Sequence, residues 1–294
     1  MSIKRITIIG LGNIGSSVAL AVSNNDAADV EVSGYARNEE TGREAVRLGV
    51  VQRFCDNLAE AVSGADLVVL ATPVTAMEDL MRQINPHLAP GAVVTDVGST
   101  KVDVNNWGEN TIGPEATFVG GHPMAGSAAA GIAGANGEMF KDTVFCVVPG
   151  RDTPAAACAV VEQLVEWIGA RPIRMTAQQH DHCVASVSHL PMLLASILVT
   201  SAAGHEDWDV MSQLAALGFR EMTRMAAGSA EVRRSICSTN KQAIADSIDG
   251  FIGTLQDYRQ HILQDDEELL VLFDEAREDR RNWVETRYPR KRND

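Results

Sequence analysis

The chain reads as an α/β domain built on an N-terminal, mostly parallel sheet, followed by an all-α C-terminal domain. Three observations predict this. Short apolar runs alternate with helix-compatible segments through the first half, the pattern of a parallel sheet with helices on both faces. A glycine-rich turn, Gly10-Leu-Gly-Asn-Ile-Gly15, joins the first run to the first helix. From Thr176 to about Ile262 turn signals become scarce and the chain stays helix-compatible.

Ile6–Ile9 reads as a buried strand, and Asn13 to Ser23 as a helix with small residues facing back. Between them, Gly10 allows a tight turn, Gly12 leaves room for a pyrophosphate against the backbone, and Gly15 lets helix pack on strand. The helix N-terminus offers free N–H groups to phosphates. This is the Rossmann-like dinucleotide fingerprint, so Gly10, Gly12, Asn13, Ile14 and Gly15 are candidate cofactor contacts. Val30–Gly34 is a second strand, and it runs into Tyr35-Ala-Arg37. NAD sites usually place an acid here for the ribose 2′-hydroxyl; Ala36 and Arg37 stand here instead, which favours a 2′-phosphate and hence NADP over NAD. The alternative is that Arg37 is a solvated loop residue and that Glu39 or Glu40 serves NAD.

Leu67–Ala71, Ala92–Thr95, Thr117–Val119 and Val144–Val148 read as further strands. Thr72 and Pro73, directly after the first of these, are candidate cofactor contacts. Asp96-Val-Gly-Ser-Thr-Lys101 follows the next, at the sheet edge where ligands of open α/β sheets bind. Ser99 there is a candidate hydrogen-bonding group for a histidine or substrate hydroxyl, or else a helix N-cap. Phe118-Val-Gly-Gly-His-Pro-Met-Ala-Gly-Ser127 then sets His122 just beyond a strand, among glycines that permit close approach. Histidine titrates nearest neutral pH, so His122 is the candidate proton acceptor.

Thr176-Ala-Gln-Gln179 has the spacing of a capping box, and we place the domain boundary near Met175, giving domains 1–175 and 176–294. In Ser186-Val-Ser-His-Leu-Pro-Met192 a proline kink could point His189 and Ser188 into a cleft; the alternative is a core histidine at a bend. His180 and His182 lie on different helix faces without a ligand set, so no metal is expected. Gly218-Phe-Arg-Glu-Met-Thr-Arg224 puts Arg220 and Arg224 four apart on one helical face, a natural carboxylate clamp or a solvated surface. Asp265 to Arg281 is a charged amphipathic helix, and the basic stretch Arg287–Arg292 a solvated tail.

The 294 residues, 45% hydrophobic, suffice for two ordinary cores, and a net charge of −14 argues against a nucleic-acid partner. Five scattered cysteines without Cys-x-x-Cys point to reduced, cytoplasmic thiols. The N-terminus enters a strand directly, unlike a signal peptide, and the apolar run from Leu190 to Val199 is short for a bilayer and interrupted by Pro191, so no membrane partner is expected.

Taken together, GLGNIG, DVGSTK, GGHPMAGS, HDHCVASVSHLP and GFREMTR, in this order over nearly the whole chain, resemble the prephenate/arogenate dehydrogenase family of tyrosine biosynthesis. An HPMAG segment followed by alanines and a late Gln256-Asp-Tyr-Arg-Gln-His261 are most similar to its cyanobacterial, NADP-dependent arogenate dehydrogenases. The resemblance implies oxidative decarboxylation of prephenate or arogenate to 4-hydroxyphenylpyruvate or tyrosine. It implies His122 as the base for the C4 hydroxyl, Ser99 as its orienting partner, and a buried Arg224, supported by Arg220, on a substrate carboxylate. A homodimer through the helical half is implied by long apolar helices that need cover. Two departures bear on substrate choice. Many prephenate-using relatives carry a second histidine where this chain has Met192, and a glutamate where it has Ala128. The competing readings are a 3-hydroxyacid-type dehydrogenase, for which Lys241 is the nearest candidate lysine, and a non-catalytic dinucleotide sensor, which would need neither His122 nor an arginine clamp.

Overall fold

The computed structural model describes residues 3–126 and 131–288. Ala128, on which one of the two substrate-side departures rests, lies outside the described residues, as do Ser127 and the tail beyond Tyr288. Contacts divide the chain into two compact units, Met1–Ile244 and Ala245–Asp294.

The strands are β1 (Arg5–Ile9), β2 (Glu31–Tyr35), β3 (Arg53–Phe54), β4 (Leu67–Leu70), β5 (Val93–Asp96), β6 (Thr117–Pro123), β7 (Val144–Pro149) and β8 (Arg171–Arg174). The helices interleaved with them are α1 (Asn13–Ser23), α2 (Glu39–Arg47), α3 (Leu58–Val62), α4 (Met77–Ile84), α5 (Val102–Thr111) and α6 (Ala155–Trp167). After β8 come only helices, α7 (Ala177–Val184), α8 (Leu190–Ala203), α9 (Trp208–Leu214), α10 (Leu217–Thr223), α11 (Ala230–Thr239), α12 (Lys241–Gln264) and α13 (Glu268–Arg287).

One sheet holds all eight strands in the order β3-β2-β1-β4-β5-β6-β7-β8. Every neighbouring pair is parallel except β6 and β7. Strand side chains alternate between two cores, as a period of two requires. Ile6, Ile8, Leu67, Val69 and Val93 pack with α1 and α6. Ile9, Val68, Leu70 and Val94 pack with α4, α5 and Val62 of α3. The six strands expected from sequence are present, with ends shifted by a residue or more; β6 runs on through His122 to Pro123. β3 and β8 escaped that reading because neither is an apolar run. β3 has two residues, and β8 is an edge strand containing Pro172 and ending in arginines, as unpaired edges often are.

The buried carboxylate of Asp96 fixes the loop beyond β5. Its Oδ2 accepts from the Gly98 N–H at 2.7 Å and from the Lys101 ammonium, and its Oδ1 accepts from the Gly121 N–H at 3.0 Å. Both side chains of this ion pair are fully buried. The last bond takes over where the β5–β6 ladder ends at Thr95 and Val119, and so secures the strand one residue before His122. A Cβ on Gly121 would lie 2.4 Å from the Asp96 carbonyl oxygen. Of the close approaches that these glycines permit, the one made at Gly121 is by the protein's own backbone.

Thr176 forms the expected capping box with Gln179. The expected break at Pro191 does not occur. The chain passes from α7 through a π-helical turn, Ala185–His189, into α8, with Pro191 in the first turn of α8. A π turn shifts the hydrogen-bond register, so the missing proline N–H is absorbed without a stop. The continuous helical stretch Ala177–Ala203 is long and apolar enough to cross a bilayer by length and composition, a test that core helices also pass. Its buried face carries His180, Asp181 and His189, all hydrogen-bonded within the first unit. In the second unit, Tyr258 and Phe273 meet edge-to-face with centroids 5.9 Å apart, and Leu255, Ile262, Leu263, Leu270 and Phe273 are exposed.

Lys101→Met leaves the Asp96 carboxylate buried without its counter-charge. Such a change is expected to lower unfolding free energy by about 3–5 kcal/mol, measured by urea denaturation. A loss below about 1 kcal/mol would show the pair to be dispensable.

Candidate functional site

The C-terminal ends of β1, β4, β5 and β6 share one edge, because these four strands are mutually parallel. Ligands of open α/β sheets bind at this edge, where strand order reverses. Here the reversal falls between β1 and β4, at Gly10 and Thr72. Gly10 has φ +105°, and a Cβ there would lie 2.4 Å from the Ala71 carbonyl oxygen. At Gly15 it would lie 2.0 Å from the Gly10 oxygen, whereas at Gly12 it would meet nothing within 4 Å. Gly10 and Gly15 are thus demanded by the fold, and Gly12 borders open space. Gly12 is also the N-cap of α1, which has no side-chain cap and no acid in its first turn. Thr72, beside Gly10, has a buried hydroxyl without a protein partner, as does Ser16 in α1. Open space, a helix N-terminus without a side-chain cap and orphan hydroxyls fit the phosphates of a dinucleotide. Asn13 and Ile14 are half-buried on the first turn of α1, Pro73 is half-buried beside Thr72, and Arg37 is exposed just beyond β2. Asn38 caps α2, and Glu39 is engaged with Arg43.

Further along the edge lies a connected set of buried polar groups. His122, 8% exposed at the end of β6, places Nδ1 2.8 Å from Nε2 of His180 on α7. Nδ1 of His180 lies 2.7 Å from Oδ1 of Asp181. The same carboxylate accepts from the backbone N–H groups of Lys101 at 2.7 Å and Val102 at 2.9 Å, and so caps α5 from a distant element. The Asn240 amide donates to the Asp181 carbonyl at 2.8 Å and lies 3.3 Å from His189 Nδ1. Thr100 and Thr239 share a hydroxyl contact of 2.7 Å, again joining the loop after β5 to the helices.

These surroundings keep the histidines neutral. Burial is the main force holding His122 well below its usual range, and His180, Lys101 and His189 act in the same direction. Burial also lowers His180, against the hydrogen bond to Asp181. His189 is pushed down to about 4, chiefly by burial, with Asp181 and the Ser99 backbone opposing. Lys101 is lowered by burial despite its Asp96 partner.

Several expectations change. Ser99, half-buried, does not orient His122 through Nδ1; His180 occupies that nitrogen. Nor does Ser99 cap α5, whose N-cap is Lys101 and whose first N–H groups go to Asp181. His189 is buried and Ser188 half-buried on the π turn. Arg220 and Arg224 do not share a regular helix: α10 ends at Thr223, and Arg224 opens a 3₁₀ turn, Arg224–Ala227. That turn packs against α8, and both arginines are exposed in the single chain, so the burial expected of Arg224 is absent there. His180 and Asp181 were missed because they matter only through contacts over long sequence distances. Local sequence carries little signal for them, because α7 reads Ala-Gln-Gln-His-Asp-His-Cys-Val and its polar residues do not show which are buried.

Two family models cover the chain, "Prephenate dehydrogenase, nucleotide-binding domain" over residues 18–174 and "Prephenate dehydrogenase, dimerization domain" over residues 176–274. A cyclohexadienyl dehydrogenase of Zymomonas mobilis is 35% identical over 94% of this chain and 95% of its own length. A prephenate dehydrogenase of Bacillus subtilis is 31% identical over 96% of this chain and 76% of its own. Among solved structures, prephenate dehydrogenase from A. aeolicus in complex with hydroxyphenyl propionate and NAD+ superposes with a TM-score of 0.89 at 26% identity, covering 96% of this chain and 99% of that one. Synechocystis arogenate dehydrogenase superposes with a TM-score of 0.81 at 29% identity, covering 95% and 100%.

Proposed function

The chain belongs to the prephenate dehydrogenase family, and from that premise we propose how its residues divide the work of the reaction. It is an NAD(P)-dependent oxidoreductase of the prephenate/arogenate dehydrogenase type. The single observation that carries the assignment of roles is a neutral, buried His122 on the same strand edge as the dinucleotide turn. Bound NAD(P), held at Gly10, Gly12, Asn13, Ile14, Gly15, Thr72 and Pro73, supplies the acceptor for the C4 hydride. His122 takes the C4 hydroxyl proton: the O–H bond breaks, a ring N–H forms, and C4 gains carbonyl character. The ring carboxylate leaves as CO2, and its bonding electrons complete the aromatic ring. General base help of this kind is worth roughly 10²–10⁴ in rate.

Ser99, in the loop between Asp96 and Lys101, contacts the same hydroxyl. Arg224 binds a substrate carboxylate, with Arg220 adding positive potential, and Ser188 and His189 border the substrate. The exposed Arg224 is brought to the substrate by the second protomer of a homodimer or by closure of the helical half. The domain boundary falls near Met175, where the two family models meet and the Thr176 capping box starts α7. Oligomerisation itself follows from the dimerization-domain match. The exposed apolar residues Ile197, Leu198, Leu214, Leu217, Leu263 and Leu270 support a two-fold assembly through the helical half. NADP is the preferred cofactor, because Arg37 stands beyond β2 without an ion-pair partner among the described residues and no acid ends that strand. Arogenate is favoured over prephenate by the cyanobacterial resemblance, whereas the Met192 departure alters polarity near the substrate side chain without choosing between them.

His122→Ala is expected to lower kcat with prephenate or arogenate by at least about 10²-fold while NADP still binds. Arg224→Ala is expected instead to raise substrate KM about ten- to a hundredfold. Steady-state kinetics of both variants with both substrates tests this split; near-normal turnover without the imidazole would remove the base role. A comparison of kcat/KM should favour NADP over NAD, and Arg37→Ser should reduce that ratio at least about tenfold. A strong NAD preference in the unaltered enzyme would sink the cofactor reading. Sedimentation at micromolar concentration should give a dimer, and a monomer there would refute the assembly.

A further inference from the structure

Only one ring nitrogen of His122 can serve as the base, and its neighbours determine which. Asp181 accepts two backbone N–H groups at the start of α5, so its third contact, 2.7 Å from His180 Nδ1, is also one in which it accepts. A carboxylate has no proton to give, so the proton of that contact sits on His180 Nδ1. A neutral imidazole carries a single ring proton, which leaves Nε2 of His180 with a lone pair. The 2.8 Å contact to His122 Nδ1 must then take its proton from His122. Neutral His122 is left with an unprotonated Nε2. The reverse arrangement, with His180 donating from Nε2, would set the lone pair of its Nδ1 against the carboxylate lone pairs of Asp181.

We infer that His180 and Asp181 are positioning residues that hold His122 in its Nδ1–H tautomer and leave Nε2 as the base. This rests on the reading of His122 as proton acceptor and deepens it. When the substrate O–H breaks and the Nε2–H bond forms, both nitrogens of His122 carry protons. Its Nδ1–H points into His180 Nε2, and the other N–H of His180 points into the Asp181 carboxylate, so the new positive charge is stabilised without a second proton transfer. The chain of contacts also fixes the ring plane, with the His122 and His180 rings edge-to-face at 65° and 5.0 Å between centroids. His180, if itself charged, Lys101 and His189 are the titratable groups that oppose the charge, and Asp96 offsets Lys101 while Asp181 faces His180. Asn240 secures the backbone of Asp181 and so the position of the pair.

The variants His180→Leu, His180→Gln and Asp181→Asn test this, together with ¹⁵N NMR of histidine-labelled protein. His180→Leu should lower kcat about a hundredfold, with KM values for substrate and cofactor within about threefold. His180→Gln keeps an acceptor for His122 and should recover most of that loss. Asp181→Asn places an amide where it donates to His180 Nδ1, reversing the chain; kcat should fall about 10²–10⁴-fold, as expected for a wrong tautomer. In the unaltered enzyme His122 should show a protonated Nδ1 and a bare Nε2, and Asp181→Asn should exchange the two signals. Circular dichroism and NADP binding check that each variant folds; should His180→Leu fail there, the spectrum of the unaltered enzyme and the glutamine variant decide. A protonated Nε2 on His122 in the unaltered enzyme, or full turnover by His180→Leu, would overturn the inference. Turnover that survives His122→Ala would overturn the base reading itself, and the two failures are distinguishable because the spectrum reports the tautomer irrespective of turnover.

Discussion

A carboxylate removed from water must find donors, and at the edge of this sheet two carboxylates find them in ways that build the site. Asp96 gathers the Gly98 and Gly121 N–H groups and the Lys101 ammonium. Asp181 gathers the Lys101 and Val102 N–H groups and His180. Lys101 belongs to both sets, through its side chain to Asp96 and its backbone to Asp181. Desolvation alone would make each buried charge costly, and full hydrogen bonding is what makes it tolerable. The outcome is a rigid join between the loop after β5, the end of β6 and the first helix beyond the sheet.

That join explains how a parallel sheet and a set of helices make one site. The sheet aligns the ends of β1, β4, β5 and β6 on one edge, which sets the dinucleotide turn and His122 on the same side. The helical half delivers His180 and Asp181 on α7 and His189 on the π turn. The π turn lets a proline enter the helix without ending it, so α7 and α8 form one continuous stretch while the buried histidines meet different partners. Burial then does the electrochemistry. Three buried histidines, two of them beside a buried lysine, are all pushed towards the neutral state in which an imidazole can accept a proton.

Much of this was legible from local pattern. The glycine fingerprint, six of the strands, the Thr176 capping box and the turn to an all-helical second half follow from short-range chemistry, which spacing of two, three or four residues records. What approaches the glycines at 120 and 121 was not legible because it is tertiary: Asn105, the Asp96 backbone and the Phe145 ring occupy the space that side chains would need. Arg220 and Arg224 were read as one helical face because four-residue spacing implies it, but the helix tightens to a 3₁₀ turn at Arg224. His180 passed as one of two histidines on different helix faces; in the structure it is fully buried and His182 is exposed.

By itself, then, the sequence determined the class of fold and the glycine turn after β1, and it singled out His122 as the candidate proton acceptor. Each is written in contiguous residues whose local geometry is nearly independent of the rest of the chain. Only the tertiary structure decided what His122 leans on. Its partner is 58 residues away, on an element of a different structural class, and the carboxylate that orients that partner is anchored by backbone groups 79 and 80 residues distant. No spacing rule reaches so far. Such contacts arise where burial brings polar groups together and leaves them no solvent to turn to, so the choice of partner belongs to the packing of the whole domain.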